Sequence, residues 1–204
     1  MALFAIQVLS VSTSMYFIFR ADSSMDIGTG HIMRCITLAN ALKGMGHECS
    51  FICKQHFGNI NSLILENKFE LHELKLIKSQ DSEIFRQDMN QQKYCAWLGS
   101  SLNHDAKLTN KILEKRKPDW IVVDHYALDA SWHKKVRGNT KNIMVIDDLA
   151  NRHYDCEILV DQNLGAENDI YMKLVPSSCK LFLGPKYALL RPEFSMLRES
   201  SLFN

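Results

Sequence analysis

The fold is decided by residues 16–46, YFIFRADSSMDIGTGHIMRCITLANALKGMG, which predict a strand, a glycine-rich turn and an amphipathic helix. Residues 16–19 form a continuous apolar run of aromatic and branched side chains, typical of a strand buried on both faces of a parallel sheet. Across residues 32–42 the apolar side chains recur at helical spacing, and two glycines follow where a helix can end. The strand and the helix therefore meet at the turn Gly28-Thr29-Gly30, which places His31 in the first helical turn.

The rest of the chain repeats this alternation. Short apolar strands are predicted at residues 49–53, 71–76, 120–123, 143–146, 158–160 and 180–183. Helices are predicted at 61–68, 102–117 and 130–136, a polar loop with a weak helix at 78–96, and a final run at 187–194. Continuously apolar strands that alternate with helices indicate a doubly wound α/β fold with a mainly parallel sheet.

Composition narrows the class of protein. The chain has 204 residues, 46% of them apolar, which suits one domain with a substantial core. Its net charge of +1 carries no basic footprint, so neither nucleic acid nor a membrane is an expected partner. The six cysteines contain no CxxC pair, which favours reduced thiols in a cytoplasmic protein. We expect residues 1–14 to be an upstream extension and residues 15–204 to form the domain.

Polar side chains follow several of the predicted strands. Ligands of doubly wound sheets bind beyond the carboxyl ends of the strands, near the point where the strand order reverses. The residues expected to face that crevice, together with His31, are Asp22, Ser23, Asp124, His125, Tyr126, Asp147, Asp148 and Asn163.

The turn at Gly28 and Gly30 is not a complete nucleotide fingerprint. Met33 replaces the third glycine of a dinucleotide motif, and Lys54 stands where an acidic residue would hold the ribose. No GK[ST] sequence follows, so the turn is not a P-loop either. What remains is a tight turn that brings a sugar or phosphate close to a helix N-terminus.

His31 is the candidate general base. The positive field of a helix N-terminus disfavours imidazolium, so it favours a neutral histidine unless an acidic neighbour compensates. Arg34 lies near the same face and suits either an anionic ligand or a surface ion pair. Tyr126 suits either a substrate contact or packing at the sheet edge.

Other chemistries have weaker support. Asp147 and Asp148 could hold a divalent cation, but hydrogen bonds to backbone N–H groups, His or Arg are the preferred role. No HExxH motif or linked His/Cys cluster indicates a metal site, and no GxSxG elbow indicates a serine nucleophile. Paired carboxylates of a glycosidase stay open as an alternative, although they account for neither the glycine turn nor His31.

Taken together, several stretches resemble the UDP-2,4-diacetamido-2,4,6-trideoxy-β-L-altropyranose hydrolases of pseudaminic acid biosynthesis. The matching runs, in chain order, are FRADSS (19–24), IGTGHIMRCITLA (27–39), WLG (97–99), DWIVVDHYALD (119–129), MVIDDLANR (144–152), DQNLGA (161–166) and GPKYALLRPEF (184–194). The resemblance implies a glycosyltransferase B type architecture, of which this chain would be the N-terminal, Rossmann-like, sugar-side half. The C-terminal UDP-binding domain is expected to be absent and could be encoded separately.

The resemblance also implies roles for particular residues. His31 would activate water for inverting attack at the anomeric carbon, and Tyr126 matches a position tied to activity. Asp22, Gly28, Gly30, Arg34, His125, Asp147, Asp148 and Asn163 are the further candidates for substrate contact or support. The implied substrate is a UDP-sugar, with no metal and no organic cofactor. Two alternatives are a glycosyltransferase of the same architecture and an inactive remnant.

Overall fold

Seven strands and six α-helices are found in the part of the chain that the computed structural model describes, residues 13–76 and 94–189. The strands are β1 (Tyr16–Ala21), β2 (Glu48–Lys54), β3 (Glu70–Leu74), β4 (Trp120–Asp124), β5 (Asn142–Ile146), β6 (Ile158–Asp161) and β7 (Lys180–Leu183). The helices are α1 (Gly30–Gly44), α2 (Ser62–Glu66), α3 (Cys95–Leu98), α4 (Leu102–Arg116), α5 (Ala130–Val136) and α6 (Asn168–Tyr171), with 3₁₀ turns at Arg137–Asn139 and Pro185–Tyr187.

All strand pairs are parallel, and the sheet order is β3-β2-β1-β4-β5-β6-β7. The chain first builds outward from β1 through β2 to β3, then returns to add β4 on the other side of β1. The strand order therefore reverses between β1 and β4, where Ala21 pairs with Asp124. A crevice opens beyond the carboxyl ends at such a reversal, so this edge positions the site.

Helices cover both faces of the sheet. On one face, α1 packs Ile32 and Leu42 against Phe19 of β1. On the other face, Trp132 of α5 and Leu113 of α4 pack in a second cluster of fully buried side chains. Because both faces are covered, the strands are apolar on both sides, which is the pattern that the sequence carries.

Local signals set the ends of the helices. Ser101 caps α4 by accepting a hydrogen bond at Oγ from the His104 N–H, at 3.2 Å. Lys117 adopts a left-handed conformation at the other end, and Pro118 follows. The predicted helix over 61–68 is confined to α2 because Lys68, with φ +60°, also turns left-handed.

Other boundaries differ from prediction by one or two residues. α1 begins at Gly30, which is therefore helical rather than part of the turn, and β3 ends at Leu74 rather than at residue 76. The predicted extension over 1–14, most of the loop over 78–96 and the end of the run over 187–194 lie outside the described residues.

Candidate active site

The turn between β1 and α1 is held by its own backbone and by Ser24. Ser24 Oγ accepts hydrogen bonds from the N–H groups of Asp26 and Ile27, at 3.1 and 2.9 Å. Gly28 N–H donates to the Ser24 carbonyl at 2.9 Å with φ +79°, a conformation that favours glycine. Apart from the glycine, its chain neighbours and the adjoining helix backbone, no atom of the described residues lies within 4 Å of the position that a Cβ would take at Gly28 or Gly30, so the space beside the turn is open.

His31 projects from the first turn of α1 toward the end of β4. Its Nδ1 lies 2.6 Å from Asp124 Oδ1 and 3.2 Å from Arg34 Nη2. A carboxylate can only accept and a guanidinium can only donate, so the shorter contact assigns a proton to Nδ1. Nε2 then carries a lone pair, and the residues described here supply no hydrogen-bond partner for it. The carboxylate thus holds His31 in the tautomer that a general base requires.

Arg34 completes the charge balance around Asp124. Its Nε and Nη2 donate to the two oxygens of Asp124 at 2.5 and 2.6 Å, and Nη1 donates to Asp148 Oδ2 at 3.0 Å. Burial by itself would raise the pKa of Asp124, but His31 and Arg34 hold that pKa below its usual range. Of the two roles predicted for Arg34, the structure shows an ion pair, one that is largely buried. We refer to His31, Arg34, Asp124 and Asp148 as the His31 cluster.

Tyr126 packs its ring edge-on against His31, with the ring centroids 4.7 Å apart and an interplanar angle of 82°. Burial, and then the nearby Asp148 carboxylate, raise the pKa of the Tyr126 phenol, so it stays protonated at neutral pH. Trp97 stacks on the ring of Tyr126, with the centroids 5.6 Å apart, and Tyr94 contacts both rings. We call Tyr94, Trp97 and Tyr126 the aromatic wall.

Beneath the crevice lies a second ionic cluster, the Arg20 network, formed by Arg20, Asp22, Lys54 and Asp105. All four side chains are completely buried. Arg20 donates to both oxygens of Asp22, at 2.6 and 3.0 Å, and to Asp105 at 2.7 Å. Lys54 Nζ lies 3.0 Å from Asp105 Oδ2. Burial would raise the pKa of Asp105, but Arg20 and Lys54 lower it to about 2.

Two predicted contact residues belong to this lower layer rather than to the crevice. Asp22 also accepts a hydrogen bond from the Lys54 N–H at 2.7 Å, so its oxygens are used inside the protein. His125 accepts from the Ala127 N–H at Nδ1, which leaves the proton on Nε2, 3.4 Å from Asp22 Oδ2. Burial lowers the pKa of His125, although Asp22 opposes that shift. Both residues are placed as support, because neither side chain reaches solvent.

The remaining candidates divide in the same way. Asp147 is fully buried and accepts at Oδ2 from the N–H groups of Leu149 and Ala150 and from the Tyr171 hydroxyl. Asn163 is exposed and donates from Nδ2 to the Asp148 carbonyl at 3.4 Å. Asp147 therefore shapes the loop after β5, while Asn163 borders the crevice beside the His31 cluster.

Sequence reasoning missed three parts of this arrangement. Trp97 was seen only within the matching run WLG, Lys54 only as a mismatch to a nucleotide motif, and Asp105 not at all. A buried Lys54 at the end of a strand needs carboxylate partners, which was a usable signal. The identity of its partner could not be predicted, because Asp105 comes from a helix about a quarter of the chain away.

No group of three or more His, Cys, Asp or Glu side chains in residues 13–76 and 94–189 is arranged to hold a metal ion. No helix in the described part of the chain has the length and apolar character needed to cross a membrane.

The sheet order and the crevice between β1 and β4 define a Rossmann-like α/β domain. Among solved structures, the chain is similar to MurG from Acinetobacter baumannii, with a TM-score of 0.52 and 9% identity over 83% of this chain and 44% of that one. This likeness confirms the predicted fold class, a domain like one half of a glycosyltransferase B type architecture.

A scan against protein-family models finds no match. The chain is 30% identical over 181 residues to the UDP-2,4-diacetamido-2,4,6-trideoxy-β-L-altropyranose hydrolase of Campylobacter jejuni, covering 88% of this chain and 53% of that protein. It is 25% identical over 186 residues to an uncharacterized protein of Methanocaldococcus jannaschii, covering 89% of this chain and 32% of that protein. The chain thus spans about half of the first relative and a third of the second. The first similarity confirms the resemblance drawn from the motifs.

Proposed function

We propose that the chain is the sugar-side domain of a nucleotide-sugar hydrolase, which releases UDP from UDP-2,4-diacetamido-2,4,6-trideoxy-β-L-altropyranose. The observation that carries the proposal is the His31–Asp124 pair, at 2.6 Å, with the other ring nitrogen of His31 left open beside the crevice. A general base needs this combination of a defined tautomer and a free lone pair. The named relative from Campylobacter supports the substrate.

In the proposed reaction, His31 Nε2 takes a proton from a water molecule as the water oxygen attacks the anomeric carbon. The bond from that carbon to the phosphate oxygen breaks, and UDP departs with the bonding electron pair. Asp124 stabilises the imidazolium that forms, because its negative charge lies against Nδ1–H. A single displacement inverts the anomeric configuration.

No general acid is required at the leaving group, since UDP leaves as a stable anion. Tyr126 therefore need not act as an acid. Its phenol stays protonated and packs on His31, so it can orient the imidazole ring or the substrate. We also propose that the contacts to uridine and diphosphate belong to a second domain, in keeping with the greater length of the Campylobacter relative.

The test is product analysis by proton NMR, with the UDP-sugar and no acceptor present. The chain alone would be compared with the chain fused to the part of the Campylobacter relative that it does not cover. We expect UDP and free sugar, with the inverted anomer formed first. A strict requirement for an acceptor other than water would instead establish a glycosyltransferase, and no turnover in either form would overturn the proposed activity.

A further inference from the structure

The aromatic wall lies beside the proposed base and takes no part in the proton transfer described above. Tyr126 touches His31 and Trp97 in turn, so the indole of Trp97 stands one ring away from the base. Trp97 and Tyr126 both remain partly exposed. Trp120 and Trp132, the other two tryptophans of the chain, are 8% and 0% exposed and belong to the core.

The position of Trp97 is fixed from below by a buried ammonium group. Lys54 Nζ donates to the carbonyl of Leu98, the residue after Trp97, and to Ser100 Oγ at 2.5 Å. The same ammonium lies 3.0 Å from Asp105 in the Arg20 network. A completely buried lysine is costly unless its donors are satisfied, so these bonds tie the segment that carries Trp97 to the rigid end of β2.

We propose that Trp97 is a specificity-determining residue that stacks on an apolar face of the substrate sugar. This inference rests on the proposed function. The sugar named for the relative carries two acetamido groups and lacks the 6-hydroxyl, so it presents methyl groups where common hexoses present hydroxyls. Flat aromatic rings bury such surfaces well, while hydroxyl-rich faces lose hydrogen bonds to water there.

The sugar fits the wall better than the uracil base does. The base His31 acts at the anomeric carbon, which is an atom of the sugar ring itself. Uracil is separated from that carbon by the diphosphate and the ribose. Tyr126, the ring adjacent to His31, and Trp97, which stacks on Tyr126, therefore lie nearer to the sugar than to uracil.

The test is a binding comparison with three probes: free 2,4-diacetamido-2,4,6-trideoxy-L-altrose and N-acetylglucosamine on the full chain, and UDP on the chain fused to the part of the Campylobacter relative that it does not cover. Titrations followed by NMR would use wild type, Trp97→Ala and Trp97→Phe, with thermal unfolding of each variant as the control for folding. We expect Trp97→Ala to weaken binding of the diacetamido sugar by about tenfold, the effect of losing one stacked ring. Trp97→Phe should stay within about threefold of wild type, since it keeps an aromatic face.

In the fused chain, the UDP affinity should change by less than about twofold in either variant, because no stacking with uracil is lost. The preference for the diacetamido sugar over N-acetylglucosamine should shrink in Trp97→Ala. Equal weakening for UDP, unchanged binding of the diacetamido sugar, or no binding of that sugar by wild type would each overturn the inference. Sugar binding that depends on Trp97, together with no hydrolytic turnover in either the chain or the fused chain, would keep the inference and reject the hydrolase activity.

Discussion

The Arg20 network and the His31 cluster are both built from aspartates and an arginine, yet they are finished differently. In the Arg20 network two cations face two carboxylates, and all four side chains are completely buried. In the His31 cluster the side chain of Arg34 is 11% exposed and that of Asp148 is 19% exposed, and the His31 ring keeps one nitrogen open. A closed set of charges can only support structure, whereas an open lone pair beside a crevice can take a proton.

The Arg20 network and the His31 cluster form two layers at the same edge of the sheet. Asp22, a member of the Arg20 network, directly follows β1. Asp124, a member of the His31 cluster, is the last residue of β4, the neighbouring strand. The ion pairs of the Arg20 network tie β1 to α4, and α4 in turn to the end of β2. The Arg20 network thus gives the His31 cluster a rigid support, which helps to keep the short contact between His31 and Asp124 in place.

The largest expected effect is on turnover, when the open histidine of the His31 cluster is replaced. We expect His31→Asn to lower kcat for UDP release by about 10²–10⁴-fold, the usual contribution of a general base, while the urea midpoint of unfolding stays close to wild type. Histidine at the exposed position 153 offers a matched control, and His153→Asn should leave kcat unchanged. Turnover of His31→Asn near the wild-type rate would remove His31 from the reaction.

Removing a carboxylate from the Arg20 network should instead lower the stability of the fold. We expect Asp105→Asn to lower the free energy of unfolding by about 3–5 kcal/mol, because Arg20 and Lys54 would be left buried with too little negative charge. Equilibrium urea unfolding measures this effect. The control is Lys141→Met at the exposed Lys141–Asp119 pair, which should cost less than about 1 kcal/mol. Equal costs at the two positions would mean that burial of the Arg20 network contributes nothing.

Low pH should destabilise the Arg20 network over a defined pH range. The pKa of Asp105 is lowered in the folded protein from 3.8 to about 2, so its ionised form stabilises the fold above pH 4. That stabilisation is lost as the pH falls from about 4 to 2, an effect on the order of 2 kcal/mol. Unfolding curves at pH 7, 4 and 2.5 would show it, and Asp105→Asn should lose less stability over the same interval than wild type does.

Much of the architecture was predictable because the signals are local. Continuous apolar runs predict strands covered on both faces, and the bounds of α5 and β7 agree with the sequence residue for residue. The helix after the glycine turn was equally clear from its period. The predicted boundaries were wrong where the conformation of a single residue decides them. Lys68 is an example, because helix propensity does not predict its left-handed backbone.

The candidate site was predictable as a list of residues and not as an arrangement. The carboxyl-end rule brought His31, Asp124 and Tyr126 to one edge, and the structure places these three together. The same rule also brought Asp22, His125 and Asp147 there, although their side chains turn into the protein. A side chain at a strand end can point up or down, and its partners in other elements make that choice.

By itself, then, the sequence determined an α/β domain with a glycine turn, a histidine at a helix start and a recognisable set of motifs. Tertiary structure alone decided which aspartate holds His31, that Arg34 pairs with two carboxylates, and that Trp97 stacks on the tyrosine next to the base. The physical reason is separation along the chain. Asp124 is 93 positions from His31, and Asp105 is 85 positions from Arg20, so these contacts exist only once the sheet has brought its strand ends together.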